Sequence, residues 1–390
     1  MNIEKVLSLI PSSLLESLAI ETKVDYFAKK LQGAVMFKLL LHCILSHKDN
    51  SLRTMSSAYE SIFFKILNTQ QDKGSIQFSS ISERLSVIEV SYFEKLFSNC
   101  VALYKKNIGK DAANLIRFDS TIVALGSKLL SIGIKQKGAN EETYNQIKFT
   151  VGYAAIPETV SFYIEQTYNS ENVALKETIL NQSKTDTQRT KVFDRGINSR
   201  ATYDCFTDNN IQYVSRINIK SKYTIIRPSE TTKKLPIETD TLIIISDSWC
   251  KLYGQKENTK HLVRRIEAIK KDTNETIIFV TNIENLTAAD ITEIYKRRWD
   301  IEVFFKFIKQ LLNFKHFISR NENGMKVVLY VTMIAAILLI AYKKENNLEG
   351  YKIAKQQFAN DLEIEIIKEI VILCGGSIER LNEILLCNSS

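Results

Sequence analysis

The chain is poor in the residues that build zinc sites and disulfide frameworks. Its 390 residues include six cysteines and four histidines. The cysteines lie far apart, at Cys43, Cys100, Cys205, Cys250, Cys374 and Cys387. None of them forms a CxxC pair, and the histidines do not supply the spacing of a zinc site. This pattern argues against a zinc-stabilised or disulfide-stapled fold and is typical of a protein from a reducing cytosol.

The chain also lacks a hydrophobic run long enough to cross a bilayer. Its most apolar stretch, from Val327 to Tyr342, is shorter than the roughly 20 residues that a membrane-spanning helix needs. The amino-terminal stretch MNIEKVLSLIPSSLLESLAIE carries acidic residues and does not have the cationic, apolar and small-residue order of a signal peptide. We therefore expect a cytoplasmic protein that does not enter the membrane, with residues 327–342 forming a buried central helix.

Acidic residues do not balance the basic ones in the second half of the chain. The formal net charge of the whole chain is +8. Residues 216–271 hold 13 Lys and Arg against 6 Asp and Glu, and residues 291–320 hold 7 against 3. A concentration of this kind is expected where a protein meets a polyanion such as nucleic acid. Basic patches also occur on proteins that bind nothing acidic, so charge alone does not identify the partner.

The periodicity of apolar residues predicts an α/β protein with helical ends. Residues 1–105 show helical spacing throughout, and residues 346–390 form a helical, more acidic tail. Between these ends, residues 106–215 and 275–345 alternate strand-like and helical segments, which is typical of a mixed-sheet core. The basic segment 216–274 contains several β-rich runs, and we predict that it is an insertion into this core.

Four polar residues near position 300 have a spacing that indicates a phosphate-handling site. Tyr295, Arg298, Glu302 and Lys309 form the pattern Y-x2-R-x3-E-x6-K. At about 100° per residue they fall, together with Lys306, on one face of a single predicted helix whose opposite face is apolar. A carboxylate on such a stripe can bind a metal ion while its neighbours hold phosphates. The alternative is the solvated charged face of an ordinary amphipathic helix.

Three acidic residues on separate elements are candidate metal ligands. Asp119 lies in the predicted strand NLIRFDSTIVAL, Asp194 follows the short apolar run KVF, and Glu302 lies on the predicted helix. Phosphodiester cleavage with two divalent ions needs carboxylates from separate parts of a rigid scaffold, and oxygen ligands suit Mg²⁺ or Mn²⁺. Asp119 could instead bond locally to the backbone, and Asp194 could be a turn residue. Possible substitutes for Asp194 are Asp204, Asp208 and Asp247.

These motifs together resemble the insertion-sequence DDE transposases of family four, which carry a Tyr-Arg-Glu-Lys signature. The spacing from Tyr295 to Lys309 matches that signature without insertion or deletion. Upstream, Asp119-Ser120-Thr121 and Phe193-Asp194-Arg195-Gly196 resemble the first and second Asp motifs of the family. One departure is visible, since the family commonly has an aromatic residue where this chain has Ile197. The resemblance spans roughly residues 35–345.

The resemblance implies an α/β, RNase H-like mixed-sheet catalytic core with a β-rich insertion, flanked by helical regions. It implies that two Mg²⁺ ions, replaceable by Mn²⁺, are bound by the catalytic residues Asp119, Asp194 and Glu302. The DNA phosphates would be bound by Tyr295, Arg298, Lys306 and Lys309. Two tryptophans, Trp299 and Trp249, are candidates for stacking on a flipped base.

The same resemblance implies a function and partners. The expected activity is cut-and-paste transposition through strand cleavage, hairpin formation and strand transfer. The expected partners are the double-stranded terminal inverted repeats and the target DNA, bound by a homodimer in the bacterial cytoplasm near the nucleoid. The helical region 1–105 is expected to bind the transposon end, and the tail 346–390 to support dimerisation. The alternatives are a catalytically retired DNA-binding protein and an RNase H-like nuclease that does not join ends.

Overall fold

The structure of the chain, a computed structural model, divides into two compact units. It describes residues 3–46, 51–67, 74–109, 114–125, 133–137, 143–231, 234–254, 257–314, 319 and 321–387. A helical unit comprises Met1–Lys110 and Phe307–Ser390, and a sheet unit comprises Asp111–Lys306. The finer division into five segments stays a prediction.

Helices and strands alternate only in the middle of the chain. The helices are α1 (Ile3–Leu7), α2 (Ser12–Thr22), α3 (Gly33–Ser46), α4 (Leu52–Glu60), α5 (Ile62–Leu67), α6 (Phe78–Val87), α7 (Val90–Asn107), α8 (Glu171–Ser183), α9 (Arg200–Asp208), α10 (Ala288–Lys296), α11 (Trp299–Leu311), α12 (Glu322–Glu345), α13 (Tyr351–Leu373) and α14 (Ile378–Cys387). The strands are β1 (Leu115–Leu125), β2 (Ile134–Lys137), β3 (Thr143–Tyr153), β4 (Pro157–Tyr163), β5 (Thr190–Phe193), β6 (Tyr213–Ile217), β7 (Tyr223–Pro228), β8 (Ile237–Glu238), β9 (Leu242–Leu252), β10 (Val263–Lys270) and β11 (Thr276–Thr281).

The helical unit is built around α12. This helix begins at the cap residue Asn321, whose side chain accepts a hydrogen bond from the Gly324 N–H, and it packs against α3, α6, α7 and α13. Among the described residues it is the one helix long and apolar enough to cross a membrane, but 89% of its most apolar window is buried inside the protein. The central helix predicted from Val327 to Tyr342 is therefore confirmed as a buried core element.

The sheet unit holds a mixed sheet with helices against it, and this confirms the predicted α/β, RNase H-like class. The strand order is β2-β3-β1-β5-β6-β11-β10-β9-β7, with β4 beside β3 and β8 beside β9. Strands β1, β5 and β6 are parallel, whereas the other pairs are antiparallel. The helices α8 and α9 contribute side chains to the core cluster that the parallel strands share.

The basic segment continues the same sheet. Its strands β7, β9 and β10 extend outward from β11, which pairs with β10 on one side and with β6 on the other. A second apolar cluster lies here, where α10 packs beside β6 and β9. The elements that carry Asp119, Asp194 and Tyr295 are therefore fixed to one continuous sheet.

The single helix predicted from Tyr295 to Lys309 is wrong. The chain turns at Arg297 and Arg298, between α10 and α11. The Arg298 N–H donates to the Tyr295 carbonyl at 2.9 Å, which is a tighter turn than the α-helical i to i−4 bond. The Arg297 carbonyl accepts a hydrogen bond from Arg117 Nε at 3.0 Å. Because this donor comes from a distant strand, the helical periodicity of the segment could not reveal the break.

Candidate active site

Asp119 is held in the middle of β1, as predicted. Its Cα lies opposite Val151 of β3, and its Oδ1 accepts a hydrogen bond from the Ser120 N–H at 2.7 Å. Burial raises the pKa of the Asp119 carboxyl to about 7 against the opposing Ser120 bond, and the nearby charges of Asp194 and Glu171 raise it further while Arg298 lowers it. The site thus disfavours an unaccompanied negative charge at Asp119.

Asp194 directly follows β5, as predicted from the sequence. In the parallel register Phe118 of β1 lies opposite Phe193 of β5. Asp119 and Asp194 are the residues that directly follow these two phenylalanines. Asp194 Oδ1 accepts a hydrogen bond from the Gly196 N–H at 2.8 Å, which fixes the carboxylate over its own turn. The parallel register therefore brings Asp119 and Asp194 to neighbouring positions just past the last paired residues of β1 and β5, and their charges interact.

Glu302 reaches this site through Arg298. The Arg298 Nη2 donates a hydrogen bond to Glu302 Oε1, and its Nη1 lies 4.0 Å from Asp119 Oδ2. Glu302 lies in the first turn of α11, where the helix dipole favours a negative side chain. The arginine of the predicted signature therefore lies between the first and the third acid.

The ring of Tyr295 packs against the guanidinium of Arg298. It also packs edge-on against Phe279 of β11, with the ring centroids 5.3 Å apart. The guanidinium carbons of Arg298 and Arg216 lie 5.7 Å and 5.9 Å from the centre of the same ring. Burial raises the pKa of Tyr295, so the phenol stays protonated and can donate a hydrogen bond. Two arginines thus share one aromatic support beside the carboxylates.

Arg117 is an anchor that the sequence analysis missed. Its side chain is 0% exposed, and it donates to the carbonyls of Arg297 and Ala154 at 3.0 Å and 3.1 Å. Its Nη2 also pairs with Asp300 Oδ2 at 2.8 Å. Arg117 and Asp119 are two residues apart on β1 and therefore point to the same face of the sheet. In the sequence, an arginine two positions before Asp119 was the one available signal that β1 contacts the turn before α11.

The remaining predicted site residues differ in their surroundings. Lys306 is exposed on α11, and Lys309 lies on the same helix, within the part of the chain that belongs to the helical unit. Trp299 is 62% exposed, next to Arg298 in the chain. Trp249 is 6% exposed on β9, and the Arg227 guanidinium covers its ring at 5.1 Å. A base could not stack on Trp249 without displacing that arginine, so only Trp299 is retained as a stacking candidate.

The three possible substitutes for Asp194 have structural partners elsewhere. The Asp204 carboxylate accepts hydrogen bonds from the N–H groups of Lys260 and His261. Asp208 lies 2.6 Å from the His261 ring, and Asp247 forms a buried two-bond pair with Arg264. Of these four aspartates, Asp194 is the one whose charge acts on Asp119, so it stays the candidate for the second acid.

The carboxylates of Asp119 and Asp194 are oxygen ligands of the kind that a divalent cation such as Mg²⁺ accepts. Two interacting carboxylates, one of them buried enough to raise its pKa to about 7, create a site that a cation would stabilise. Within the described ranges, no group of three His, Cys, Asp or Glu side chains is close enough to hold a metal ion together. Glu302 is instead engaged by Arg298, so its approach to the two Asp residues requires that this ion pair open.

Comparison with known proteins gives a consistent result. The family profile described as "Transposase DDE domain" matches residues 113–338, more than half of the chain. A protein of Synechocystis sp. named as a transposase for insertion sequence element IS4SA is 27% identical over 310 residues, which is 77% of this chain and 78% of that protein. A protein of Geobacillus stearothermophilus named as a transposase for insertion sequence element IS5377 is 28% identical over 159 residues, 40% of each chain. A protein of Sinorhizobium fredii named as transposase y4zB is 26% identical over 151 residues, 38% of this chain and 41% of that protein.

Proposed function

The chain belongs to the transposase DDE domain family, and we propose that it moves an insertion sequence by cut-and-paste transposition, as a family-four member. The observation that carries the proposal is the position of Arg298, which contacts Glu302 and lies 4.0 Å from Asp119. Members of this family act on DNA. An arginine fork among carboxylates can bind a phosphate of that DNA at the place where the acids bind their ions.

Asp119, Asp194 and Glu302 are the residues that would hold two Mg²⁺ ions, with Mn²⁺ able to replace them. When bound, such ions activate the attacking oxygen and stabilise the departing one. The chain's own contribution is to fix two carboxylates on adjacent parallel strands and the third on a helix. Support comes from the neighbouring positions of Asp119 and Asp194 past the paired residues of β1 and β5 and from the carboxylate chemistry of all three side chains.

Arg298 and Tyr295 would grip the phosphate at the transposon end. Among the described residues, none accepts a hydrogen bond from Arg298 Nε, although this atom is buried. A phosphate oxygen would satisfy it once the Arg298 side chain moved out of its contact with Glu302, because the guanidinium fork offers parallel donors to such oxygens. The protonated Tyr295 hydroxyl is a second donor, and Lys306 and Lys309 add positive charge farther along α11. Contacts of this kind position the DNA backbone without reading its sequence.

The proposed reaction is a series of displacements at phosphorus. Water cleaves one strand at the element's end and leaves a 3′-hydroxyl. That hydroxyl attacks the opposite strand, so that a new phosphodiester forms a hairpin on the element and the flanking DNA departs. Water reopens the hairpin, and the freed 3′-hydroxyl then attacks target DNA and displaces one of its strands. Each step exchanges one phosphorus–oxygen bond for another, so the same three acids can serve all of them in turn.

The proposed partners are the terminal inverted repeats, the target DNA and a second copy of the chain. The helical residues 1–105 are assigned to the transposon end and the tail 346–390 to dimerisation, in the bacterial cytoplasm near the nucleoid. Trp299 is proposed to stack on a base extruded beside the cut, and its exposure and its position next to Arg298 in the chain support this. The net positive charge of residues 216–271 predicts that DNA binding weakens steeply as salt concentration rises.

The test is excision and joining on a plasmid that carries the DNA flanking this gene, with Mg²⁺. Wild type is compared with Glu302→Gln and with the control Glu293→Gln, which changes an exposed acid on α10. Hairpin and joined products from wild type and the control, but not from Glu302→Gln, are the expected result. Nicking without joining would instead indicate a nuclease. Binding without cleavage by wild type would indicate a retired DNA-binding protein.

A further inference from the structure

A fourth carboxylate, that of Glu171, lies against the segments of both aspartates. Glu171 is the first residue of α8. Its charge acts on Asp119, and its side chain packs against Gly196 in the turn that follows Asp194. It belongs to none of the motifs that the sequence analysis selected, because its position depends on how α8 packs on the sheet.

The contact with β1 is a hydrogen-bonded chain of three residues. Ser120 Oγ, next to Asp119 in the strand, donates to Glu171 Oε2 at 2.6 Å. Lys148 Nζ, from the neighbouring strand β3, donates to Glu171 Oε1 at 2.9 Å. The side chain of Lys148 is 3% exposed and that of Glu171 is 33% exposed. Each oxygen of this carboxylate therefore has a donor, and its charge is partly offset by a buried cation.

The contact with the second aspartate segment is steric as well as polar. A Cβ added at Gly196 would lie 2.8 Å from Asp194 Oδ1 and 3.2 Å from the Cβ and Cγ atoms of Glu171. The next residue of α8, Asn172, accepts the N–H groups of Asn198 and Ser199 at 2.8 Å and 2.9 Å. The start of α8 therefore holds the turn after Asp194 and the strand of Asp119 at the same time.

We infer that Glu171 is a positioning residue that fixes Asp119 and Asp194 relative to each other and strengthens their affinity for a divalent cation. This inference rests on the proposed function, in which those two residues hold Mg²⁺. Outer groups that orient metal ligands and add negative charge raise the affinity of a site, and their loss commonly lowers it about 10- to 100-fold. Lys148 acts in the opposite direction, because its positive charge offsets that of Glu171.

Two variants that break the same ion pair separate this role from ordinary stabilisation. Glu171→Gln keeps the size of the side chain and an acceptor for Ser120, but it removes the negative charge and leaves Lys148 without its ionic partner, although Lys148 still donates to the Asn169 carbonyl. Lys148→Met keeps most of the apolar stem and removes the positive charge, so the carboxylate of Glu171 is no longer offset. If the pair only stabilises the fold, both variants lower the melting temperature and neither changes the Mg²⁺ dependence.

The experiment is a titration of the full chain with MgCl₂, without DNA, in which the rise of the melting temperature reports binding. Glu171→Gln is expected to raise the half-saturating Mg²⁺ concentration roughly tenfold, whereas Lys148→Met is expected to lower it. The matched control is Glu177→Gln, on the same helix, which removes a negative charge and keeps an acceptor for the Tyr168 hydroxyl but lies outside the contacts of Glu171. This control is expected to keep the wild-type Mg²⁺ dependence.

Unchanged half-saturation in both ion-pair variants would overturn the inference, and so would a wild type whose melting temperature does not respond to Mg²⁺. The Mg²⁺ dependence of strand cleavage supplies a second readout on the same variants. Joining by wild type with an unaltered Mg²⁺ dependence in Glu171→Gln would refute the role of Glu171 and leave the transposase proposal standing. The opposite shifts in Mg²⁺ binding without any joining would support the role of Glu171 and refute transposition.

Discussion

Replacing Asp119 by Asn removes a carboxylate whose ionisation the fold disfavours. Burial raises the pKa of Asp119 from its ordinary 3.8 to about 7, with a further contribution from the charge of Asp194. Asn keeps the shape of the side chain and an oxygen that can accept the Ser120 N–H, as Asp119 Oδ1 does. We therefore expect Asp119→Asn to be more stable than wild type at pH 8 in the absence of divalent ions.

The magnitude follows from the difference in proton affinity between the native and the unfolded chain. A tenfold change in affinity is worth about 1.4 kcal/mol, so the rise from 3.8 to about 7 sets an upper limit of about 4 kcal/mol. The side chain of Asp119 is 23% exposed, and solvent screening lowers this to about 2–4 kcal/mol. The pKa of Asp119 is higher in the native chain than in the unfolded chain. The stability that its protonated form contributes is therefore fully present below pH 3.8 and is lost as the pH rises through about 7.

The assay is urea unfolding in EDTA at several pH values between 5 and 8, for wild type, Asp119→Asn and the control Asp272→Asn. Asp272 is an exposed residue of the sheet unit, so its replacement removes the same formal charge without the burial. Between pH 5 and pH 8 the free energy of unfolding of wild type should fall by about 1–3 kcal/mol relative to Asp119→Asn. In a second series above pH 7, with Mg²⁺ in place of EDTA, the ion should stabilise wild type and leave Asp119→Asn nearly unchanged.

A constant difference between wild type and Asp119→Asn across this pH range would refute the reasoning. It would mean that Asp119 is solvated well enough to ionise at its ordinary pKa, so that no cation is needed to compensate its charge. The same conclusion would follow if Asp272→Asn reproduced the pH dependence of Asp119→Asn, because the effect would then come from net charge.

Three further changes test other parts of the site. Arg117→Met removes the hydrogen bonds to the carbonyls of Arg297 and Ala154, so urea unfolding should show a loss of about 1–3 kcal/mol; a loss under 0.5 kcal/mol would contradict the anchoring role. Gly196→Ala places a Cβ 2.8 Å from Asp194 Oδ1, and plasmid cleavage should fall at least tenfold while gel-shift binding of DNA persists; equal cleavage would show that the turn can adjust. Trp299→Ala should change the unfolding free energy by less than about 0.5 kcal/mol because the side chain is exposed, yet reduce hairpin formation; wild-type hairpin yields would remove Trp299 as a stacking residue.

The element that carries each acid was predictable because each acid lies in a strong local pattern. Alternating and β-branched residues predicted the strand of Asp119, and a short apolar run ending in Asp194 predicted the end of β5. The signature spacing also placed Glu302 on a helix. Their roles as metal ligands stay predictions, since the structure brings Asp119 and Asp194 to neighbouring positions on β1 and after β5 but pairs Glu302 with Arg298.

The helix break before Trp299 was not predictable from the same patterns. Periodicity describes which side of a segment is apolar, and the apolar residues continue through the turn without a change of spacing. At the break the carbonyl of Arg297 bonds to Arg117, which is 180 residues away in the chain. Trp249 is a similar case, because its burial depends on the pairing of β9 with β7 and on the Arg227 side chain above it.

The sequence by itself determined the family, the α/β class and the elements on which the three acids lie, because motif spacing and periodicity are properties of short segments. Only the tertiary structure decided which charges meet. It placed Arg298 between Asp119 and Glu302, tied that turn to β1 through Arg117, and brought Glu171 against both aspartate segments. These contacts join residues far apart in the chain, and they form because the register of parallel strands and the packing of α8 bring separate elements together.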